Sequence, residues 1–156
     1  MNFIKNIIEK ASKLNGTVVL PEGNDPRVIT AACALVDRKI ATPVVLGTPS
    51  EIADAEAKAS LRLADRGIKV VDYTAGDAEL EGAYLEAWNA KESRKPAEKQ
   101  KIIDLAAAEK TLRTKRIYFG GMMVKLGRVD GLVASPSPRP ETCSVRRSTR
   151  SEPRRA

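Results

Sequence analysis

The chain contains no histidine and only two cysteines, Cys33 and Cys143, in 156 residues. Histidine and clustered cysteine are the usual ligands of zinc, and two distant cysteines match no metal-binding spacing. One cysteine lies in the body of the chain and the other near its end, so the two do not indicate a disulfide framework. We therefore predict neither a metal site nor structural disulfides.

Long apolar runs are also missing. No segment approaches the roughly 20 consecutive apolar residues that a membrane span requires, and the first 16 residues interrupt their apolar positions with charge. The charged run 91–101 mixes acids with bases and carries no aromatic residue for stacking on nucleic-acid bases. We expect a soluble cytoplasmic protein with no membrane association, for which nucleic acid is an unlikely partner.

The positive charge is concentrated at the end of the chain. Residues 135–156 carry six arginines, two glutamates and four prolines, so residues 1–134 account for only +3 of the net charge of +7. Val145 is the only aliphatic residue larger than alanine in this tail. Such a segment buries too little apolar surface to offset the entropy of ordering it, so we predict a disordered basic tail.

Residues 1–134 have the composition of a folded α/β domain. The pattern predicts three apolar strands, a first helix with one buried stripe, and two helices that connect the strands. The predicted strands are 17–21, 42–47 and 68–73; the predicted helices are 2–14, 24–40 and 48–65. Apolar strands that alternate with helices indicate a mostly parallel sheet with helices on both faces.

The alternation weakens after residue 73. Residues 77–93 read as a helix, and residues 93–116 are polar at first and then helical. The stretch 117–134 has a short helix-like centre followed by an apolar strand at 130–134. We expect this last strand to join the sheet beside one of the first three.

The loop "LPEGNDPR" follows the first strand, at the edge where open α/β sheets usually bind ligands. The N-terminus of the next helix is suited to an anion. The alternative is a plain strand-to-helix turn in which Asp25 caps the helix and Pro26 occupies its first position. A single glycine, Gly23, does not decide between these interpretations.

The segment "GGMMVKLG" also has two interpretations. Met122, Met123 and Leu126 share a helical face, and methionine in that pattern usually fills a core. Alternatively, a flexible Gly120-Gly121 pair brings the backbone close to a ligand, and Lys125 offers a cation to phosphate.

Three stretches together, "LPEGNDPRVITAA", "IATPVVLG" and "YFGGMMVKLGRVDGLVA", strongly resemble the N-terminal part of the phosphate acetyltransferases (phosphotransacetylases), a family shared with phosphate butyryltransferases. The resemblance covers residues 1–134. It implies the first domain of an isocitrate-dehydrogenase-like architecture, usually homodimeric, with acetyl-CoA and phosphate as substrates and no tightly bound cofactor.

The resemblance also assigns site residues. It implies that Glu22, Gly23, Gly120, Gly121 and Lys125 line the coenzyme A and phosphate site. The catalytic aspartate, arginine and serine groups of such enzymes belong to the second half of the family's chain, so no catalytic residue is predicted in this one. We expect a fragment of this kind to be inactive and to expose an apolar edge.

Two departures from the family pattern stand out. In the helix "YLEAWNAK", Trp88 occupies the place where the family commonly carries an anion-binding arginine. After residue 134 the family pattern stops, and we predict that residues 135–156 are an out-of-frame reading of the family's next segment. Read one frame over, the codons of residues 144–148 permit Arg-Pro-Ala-Leu, which the family has there. The alternative is a small α/β binding module whose basic arm binds nucleic acid or an acidic partner.

Overall fold

The computed structural model describes residues 2–134, and a four-stranded parallel sheet forms the centre of this part of the chain. The strands are β1 (Thr17–Leu20), β2 (Thr42–Leu46), β3 (Lys69–Val71) and β4 (Gly131–Leu132). Their order is β3-β2-β1-β4, and every neighbouring pair is parallel. The predicted parallel α/β fold is confirmed, and the last strand joins the sheet beside β1.

Helices cover both faces of this sheet. The described residues form α1 (Asn2–Leu14), α2 (Pro26–Asp37), α3 (Pro49–Ala59), α4 (Ala78–Glu92), α5 (Leu105–Thr114) and α6 (Arg116–Lys125). Because successive side chains of a strand point to opposite faces, Leu20 and Val45 pack with α2 and α3, whereas Val19, Val44 and Leu46 pack with α4, α5 and α6. None of these helices is long and apolar enough to cross a membrane.

The first connecting helices begin where their capping residues predict. The Asp25 carboxylate accepts a hydrogen bond from the Arg27 backbone N–H at 2.8 Å, and Pro26 is the first helical residue of α2. Helix α3 begins with a capping box, in which Thr48 accepts from the Glu51 N–H and the Glu51 carboxylate accepts from the Thr48 N–H. Reciprocal bonds of this kind satisfy N–H groups that have no partner inside the helix.

Three predicted elements differ in extent. The helix predicted at 48–65 ends at Ala59 because Ser60 adopts a left-handed backbone with φ of 54°, and Ala64–Arg66 is a separate 3-10 helix. The strand predicted at 68–73 is limited to Lys69–Val71 because a 3-10 helix begins at Tyr73. Within residues 93–116, the α-helix begins only at Leu105, after its cap Asp104.

Helix α1 corrects one expectation about the core. The predicted helix is present, but its apolar stripe is not buried: Phe3 is 77% exposed, Ile4 69% and Leu14 81%. The buried core consists instead of residues from Val19 to Val129, in one cluster on each face of the sheet. The helix was predicted from its periodicity, which identifies an apolar face without showing what covers it.

The predictions for residues 135–156 lie outside the described residues. These are the disordered tail, the out-of-frame reading and the basic arm for nucleic acid or an acidic partner.

A charge cluster fixes the start of α4 to the segment that precedes β4. Asp77 caps α4 by accepting from the Leu80 N–H at 3.1 Å, and it also accepts from the Arg128 guanidinium at 3.3 Å. Arg128 bonds to Glu79 as well. The hydrogen bond from Arg128 is the main cause that holds the pKa of Asp77 below its ordinary value.

This arrangement predicts an acid-sensitive contribution to stability. A carboxyl group with a lowered folded-state pKa stabilises the fold above its ordinary pKa of 3.8, and this contribution is lost as the pH falls below that value. We expect Asp77→Asn, which keeps a capping side chain, to lower the free energy of unfolding at pH 6 by about 1 kcal/mol. At pH 3 the difference between the variant and the parent chain should be smaller, because the contribution declines as the pH falls from 3.8 towards the lowered folded-state pKa.

Denaturant unfolding at pH 6 and pH 3 measures this difference. Asp54→Asn, on the exposed surface of α3, is the control and should leave the pH dependence unchanged. Parallel pH profiles for the parent chain and Asp77→Asn would show that the Arg128 pair contributes nothing.

Candidate functional site

The loops at the carboxyl ends of the strands meet at one edge of the sheet, here called the carboxyl edge. The chain passes from β1 through α2 to β2 on one side, whereas β4 lies on the other side of β1. Ligands of open α/β sheets bind at such a reversal of strand order. A cavity of about 270 Å³ lies there, and its lining includes Leu20, Glu22, Asp25, Arg27 and Val133.

Gly23 is required for the shape of the loop after β1. It is buried, and its N–H donates to the Leu46 carbonyl oxygen at 3.0 Å. A Cβ atom at this position would lie 2.4 Å from that oxygen and 2.6 Å from Ile52 Cδ1. The glycine therefore lets the loop lie against the end of β2, which holds the neighbouring Glu22 beside the cavity.

Arg27 and Asp25 form an ion pair at the mouth of this cavity. The Arg27 guanidinium donates to the Asp25 carboxylate at 2.6 Å while the same carboxylate caps α2. The hydrogen bond from Arg27 lowers the pKa of Asp25, so this carboxyl stays ionised at neutral pH. An anion that approaches the N-terminus of α2 meets a carboxylate that already occupies it. The capped turn was one of the two interpretations of this loop, and it is the arrangement present.

Arg116, the first residue of α6, connects three other segments of the carboxyl edge. Its guanidinium donates to Asn24 Oδ1 at 2.7 Å and to Glu51 Oε1 at 3.0 Å. It also lies over the ring of Tyr73, with 5.4 Å between Cζ and the ring centroid. Arg116 thus fixes the loop after β1, the start of α3 and the turn after β3 relative to one another.

No motif in the sequence points to Arg116. Its partners Asn24 and Glu51 lie 92 and 65 residues away, and no local motif connects them. The spacing of Thr48 and Glu51 is that of a capping box. It indicates the start of α3 but not the contact of Glu51 with Arg116.

The two arginines described at the carboxyl edge are both engaged by carboxylates. Arg27 is paired with Asp25, Arg116 is paired with Glu51, and these two carboxylates also occupy the starts of α2 and α3. A phosphate group would have to compete with a carboxylate for either arginine. The edge has the geometry of a ligand site, but Arg27 and Arg116 are already engaged by carboxylates.

The glycine pair and the methionines belong to α6. Gly120 and Gly121 are helical and not part of a flexible loop, which corrects that expectation. A Cβ on Gly120 would lie 2.8 Å from Leu132 Cδ1, so Gly120 allows α6 to approach the sheet closely, whereas Gly121 faces open space. Met122 and Met123 are buried in the core, which confirms the core-filling interpretation.

Lys125 does not lie with Glu22 and Gly23. Helix α6 begins at the carboxyl edge with Arg116 and runs towards the opposite edge, where Asp130 bonds to Thr17 at the start of β1. Lys125 is the last residue of this helix and is exposed. The structure therefore places the five predicted site residues in three places: beside the cavity, within the packing of α6, and near the opposite edge.

Trp88 has a structural role in the position where the resemblance implies an arginine. Its indole N–H donates to the Lys101 carbonyl oxygen at 2.8 Å, and its ring lies 5.9 Å from that of Tyr84. Trp88 thus anchors the segment before α5 onto α4. An indole offers a single donor and no charge, and here that donor is already used.

Metal ligands and strong bases are not assembled in this part of the chain. Residues 2–134 contain no group of three or more histidine, cysteine, aspartate or glutamate side chains that could hold a metal ion. The carboxyl groups with a displaced pKa, on Asp25, Asp77 and Glu92, are all shifted downwards by hydrogen bonds from basic side chains. A lowered pKa makes a carboxylate a weaker general base.

Comparison with known sequences identifies relatives of this fold. The family model described as phosphate acetyl/butaryl transferase matches residues 2–138. The phosphate acetyltransferase of Acetivibrio thermocellus is 34% identical over 141 residues, and the match covers 86% of this chain and 36% of the relative. That of Thermoanaerobacterium thermosaccharolyticum is 37% identical over 139 residues, covering 86% of this chain and 37% of the relative.

Solved structures agree with these sequence matches. A phosphotransacetylase from Streptococcus pyogenes superimposes with a TM-score of 0.68 at 29% identity, covering 86% of this chain and 37% of that one. The EutD phosphotransacetylase from Staphylococcus aureus gives a TM-score of 0.64 at 30% identity with the same coverage. The chain spans little more than a third of the length of these relatives, and it belongs to the phosphate acetyl/butaryl transferase family.

Proposed function

We propose that this chain forms one side of the substrate site of an acyltransferase that moves an acetyl group between coenzyme A and phosphate. The observation that carries the proposal is the family match over residues 2–138, supported by relatives that are phosphate acetyltransferases. Because the chain spans about 36% of such a relative, we assign the acid-base chemistry to protein outside it. Small-molecule substrates, a cytoplasmic location and a homodimeric assembly are part of the same proposal.

The reaction itself defines what a complete site must provide. A phosphate oxygen attacks the thioester carbonyl carbon, a C–O bond forms as the C–S bond breaks, and the coenzyme A sulfur leaves and takes up a proton. Charge develops on the carbonyl oxygen, which needs fixed hydrogen-bond donors, and the proton transfer at sulfur needs an acid-base group. Arg27 and Arg116 are engaged with Asp25 and Glu51, so this chain's own contribution is to shape and position the site.

The cavity at the carboxyl ends of β1 and β4 is the proposed contact surface for substrate. Glu22 lines it, and Gly23 sets the backbone path beside it. Gly120 acts through the packing of α6, whereas Gly121 faces open space and Lys125 lies near the opposite edge; neither of these two is part of the proposed contact. With a volume of about 270 Å³, the cavity accommodates phosphate or the end of a thioester but not a whole coenzyme A molecule.

A joined protein tests the proposal. In the Streptococcus pyogenes phosphotransacetylase, the matched part is replaced by residues 2–134 of this chain, and acetyl phosphate formation from acetyl-CoA and phosphate is measured. We expect turnover by the joined protein and none by the 156-residue chain alone. Butyryl-CoA in place of acetyl-CoA distinguishes the two acyl groups that the family name covers.

Two results would contradict the proposal. One is a joined protein that folds cooperatively but forms neither acyl phosphate. The other is turnover by the 156-residue chain within about tenfold of the joined protein, a barrier difference of only about 1.4 kcal/mol, which would place the catalytic groups in this chain after all.

A further inference from the structure

Helix α1 presents an uncovered apolar face. With about 100° between successive helical residues, its apolar side chains fall within an arc of about 140°. The members of this face, here called the α1 stripe, are Phe3, Ile4, Ile7, Ile8, Ala11 and Leu14. Four of them are more than a third exposed: Phe3, Ile4, Ile7 and Leu14. The rest of the helix surface carries three lysines and one glutamate: Lys5, Glu9 and Lys13 lie away from the stripe, and Lys10 borders it beside Phe3.

The C-terminal end of α1 contacts the rest of the domain. The helix leads through Asn15 and Gly16 directly into β1, and Ser12 and Asn15 line a cleft with Pro43 and Gly67. These contacts lie at the starts of the strands, the edge opposite the proposed substrate cavity. An isolated helix of 13 residues is marginal in water, so α1 requires packing on its stripe.

A second copy of α1 does not meet this requirement. A stable interface between two proteins buries roughly 800 Å² on each partner, supplied by about 20 to 30 residues, whereas the stripe has six side chains on one 13-residue helix. Pairing two stripes would also bring the positive charge of each helix, three lysines against one glutamate, close to that of the other.

The comparisons indicate where the partner surface comes from. The family match begins at residue 2, so α1 belongs to the part of the chain that is shared with relatives. Those relatives are far longer: this chain spans 36% of one and 37% of another. We propose that the α1 stripe is the docking surface for the part of a family-length transferase that this chain does not match, through an apolar groove with an acidic rim facing Lys10.

This inference rests on family membership and not on the proposed catalytic function. The docked part would lie at the edge formed by the starts of the strands, whereas the proposed substrate cavity lies at the carboxyl edge. Removing apolar surface from water is favourable in proportion to the area buried, so covering the four exposed side chains of the stripe favours an intramolecular contact.

Thiol labelling at two neighbouring positions tests the inference. Ile7→Cys probes the stripe and Asn6→Cys, on the exposed polar side of the same turn, is its matched control; both are made with Cys143 replaced by serine, and Cys33 is buried. Labelling rates are measured for the 156-residue chain alone, for this chain mixed with the separately produced remainder of the Streptococcus pyogenes phosphotransacetylase, and for the joined protein.

The expected result is that both cysteines react rapidly in the 156-residue chain. In the joined protein or in the mixture, Ile7→Cys should react at least about tenfold more slowly while Asn6→Cys is unchanged. Rapid reaction of Ile7→Cys in both formats overturns the proposal. If protection depends on the concentration of the 156-residue chain alone, the proposal is overturned in favour of self-association. If protection requires anionic phosphatidylserine vesicles, it is overturned in favour of a membrane surface. Protection with no acyl transfer would retain the docking surface and reject the proposed function.

Discussion

Gly23→Ala is expected to lower the free energy of unfolding by about 3 kcal/mol, at the upper end of what overpacking a well-packed site costs. The added Cβ would lie 2.4 Å from the Leu46 carbonyl oxygen, 2.6 Å from Ile52 Cδ1 and 2.8 Å from Val45 Cγ1. The nearest of these atoms is backbone in a central strand, so it cannot rotate away. Relief requires the loop to move, which breaks the bond from the Gly23 N–H to Leu46 at 3.0 Å.

Two other glycines provide matched controls for this substitution. Gly120→Ala meets the flexible end of the Leu132 side chain at 2.8 Å, so we expect a smaller loss of about 1 kcal/mol. Gly121→Ala meets nothing within 4 Å and lies inside α6, where alanine is favoured over glycine by about 1 kcal/mol. In denaturant unfolding, the midpoint of Gly121→Ala should therefore be higher than that of the parent chain, and the midpoint of Gly23→Ala should be the lowest of the series. Equal midpoints for Gly23→Ala and the parent chain would show that the loop is not held as described.

The strands and helices that build the parallel sheet were predictable because their signals are local, whereas the position of β4 beside β1 was not. Aliphatic runs such as Val18–Leu20 and the caps Asp25 and Thr48 each lie within a few residues of the element they specify. The lengths of the elements were less predictable where a single residue changed the backbone. Ser60 ends α3 by adopting a left-handed conformation that serine rarely takes, and no neighbouring residue in the sequence indicates this.

The site was only partly predictable because its contacts connect distant segments. The loop around Glu22 and Gly23 was identified from its position after an apolar strand, a rule that holds for many α/β proteins. Lys125 was grouped with it because a cation suits a phosphate, but the direction of α6 carries this residue towards the other edge. Arg116, at the beginning of the same helix, contacts that loop through Asn24; only its three-dimensional neighbours reveal its role.

The sequence also did not show which charged side chains form ion pairs. A single sequence gives the number of arginines but not their partners, so the pairing of Arg27 could not be predicted. The structure pairs it with Asp25, which caps the helix at the same time. The presence of a basic residue at a helix N-terminus is therefore weak evidence for an anion site unless its carboxylate neighbours are known.

Arg116→Met is expected to reduce kcat/KM for acetyl phosphate formation by about 100-fold in the joined protein, the loss that a displacement of roughly 1 Å in a reacting arrangement produces. Arg116 does not occupy the cavity; it acts as a positioning residue through Asn24, Glu51 and Tyr73. Without it, the loop that carries Glu22 loses its connection to the start of α3, although Glu51 keeps its bond to the Thr48 N–H at 3.0 Å. The melting temperature should therefore change little compared with the activity.

Two further variants separate positioning from a general effect of charge. Arg116→Lys keeps the charge but not the rigid planar fork that reaches two acceptors in different directions, so we expect it to recover less than half of the lost activation free energy. Arg62→Met removes an arginine that is exposed after α3 and should leave the kinetics unchanged. Full activity in Arg116→Met would mean that the geometry of the carboxyl edge does not depend on Arg116. An equal loss in Arg62→Met would mean that the effect comes from the lost charge and not from positioning.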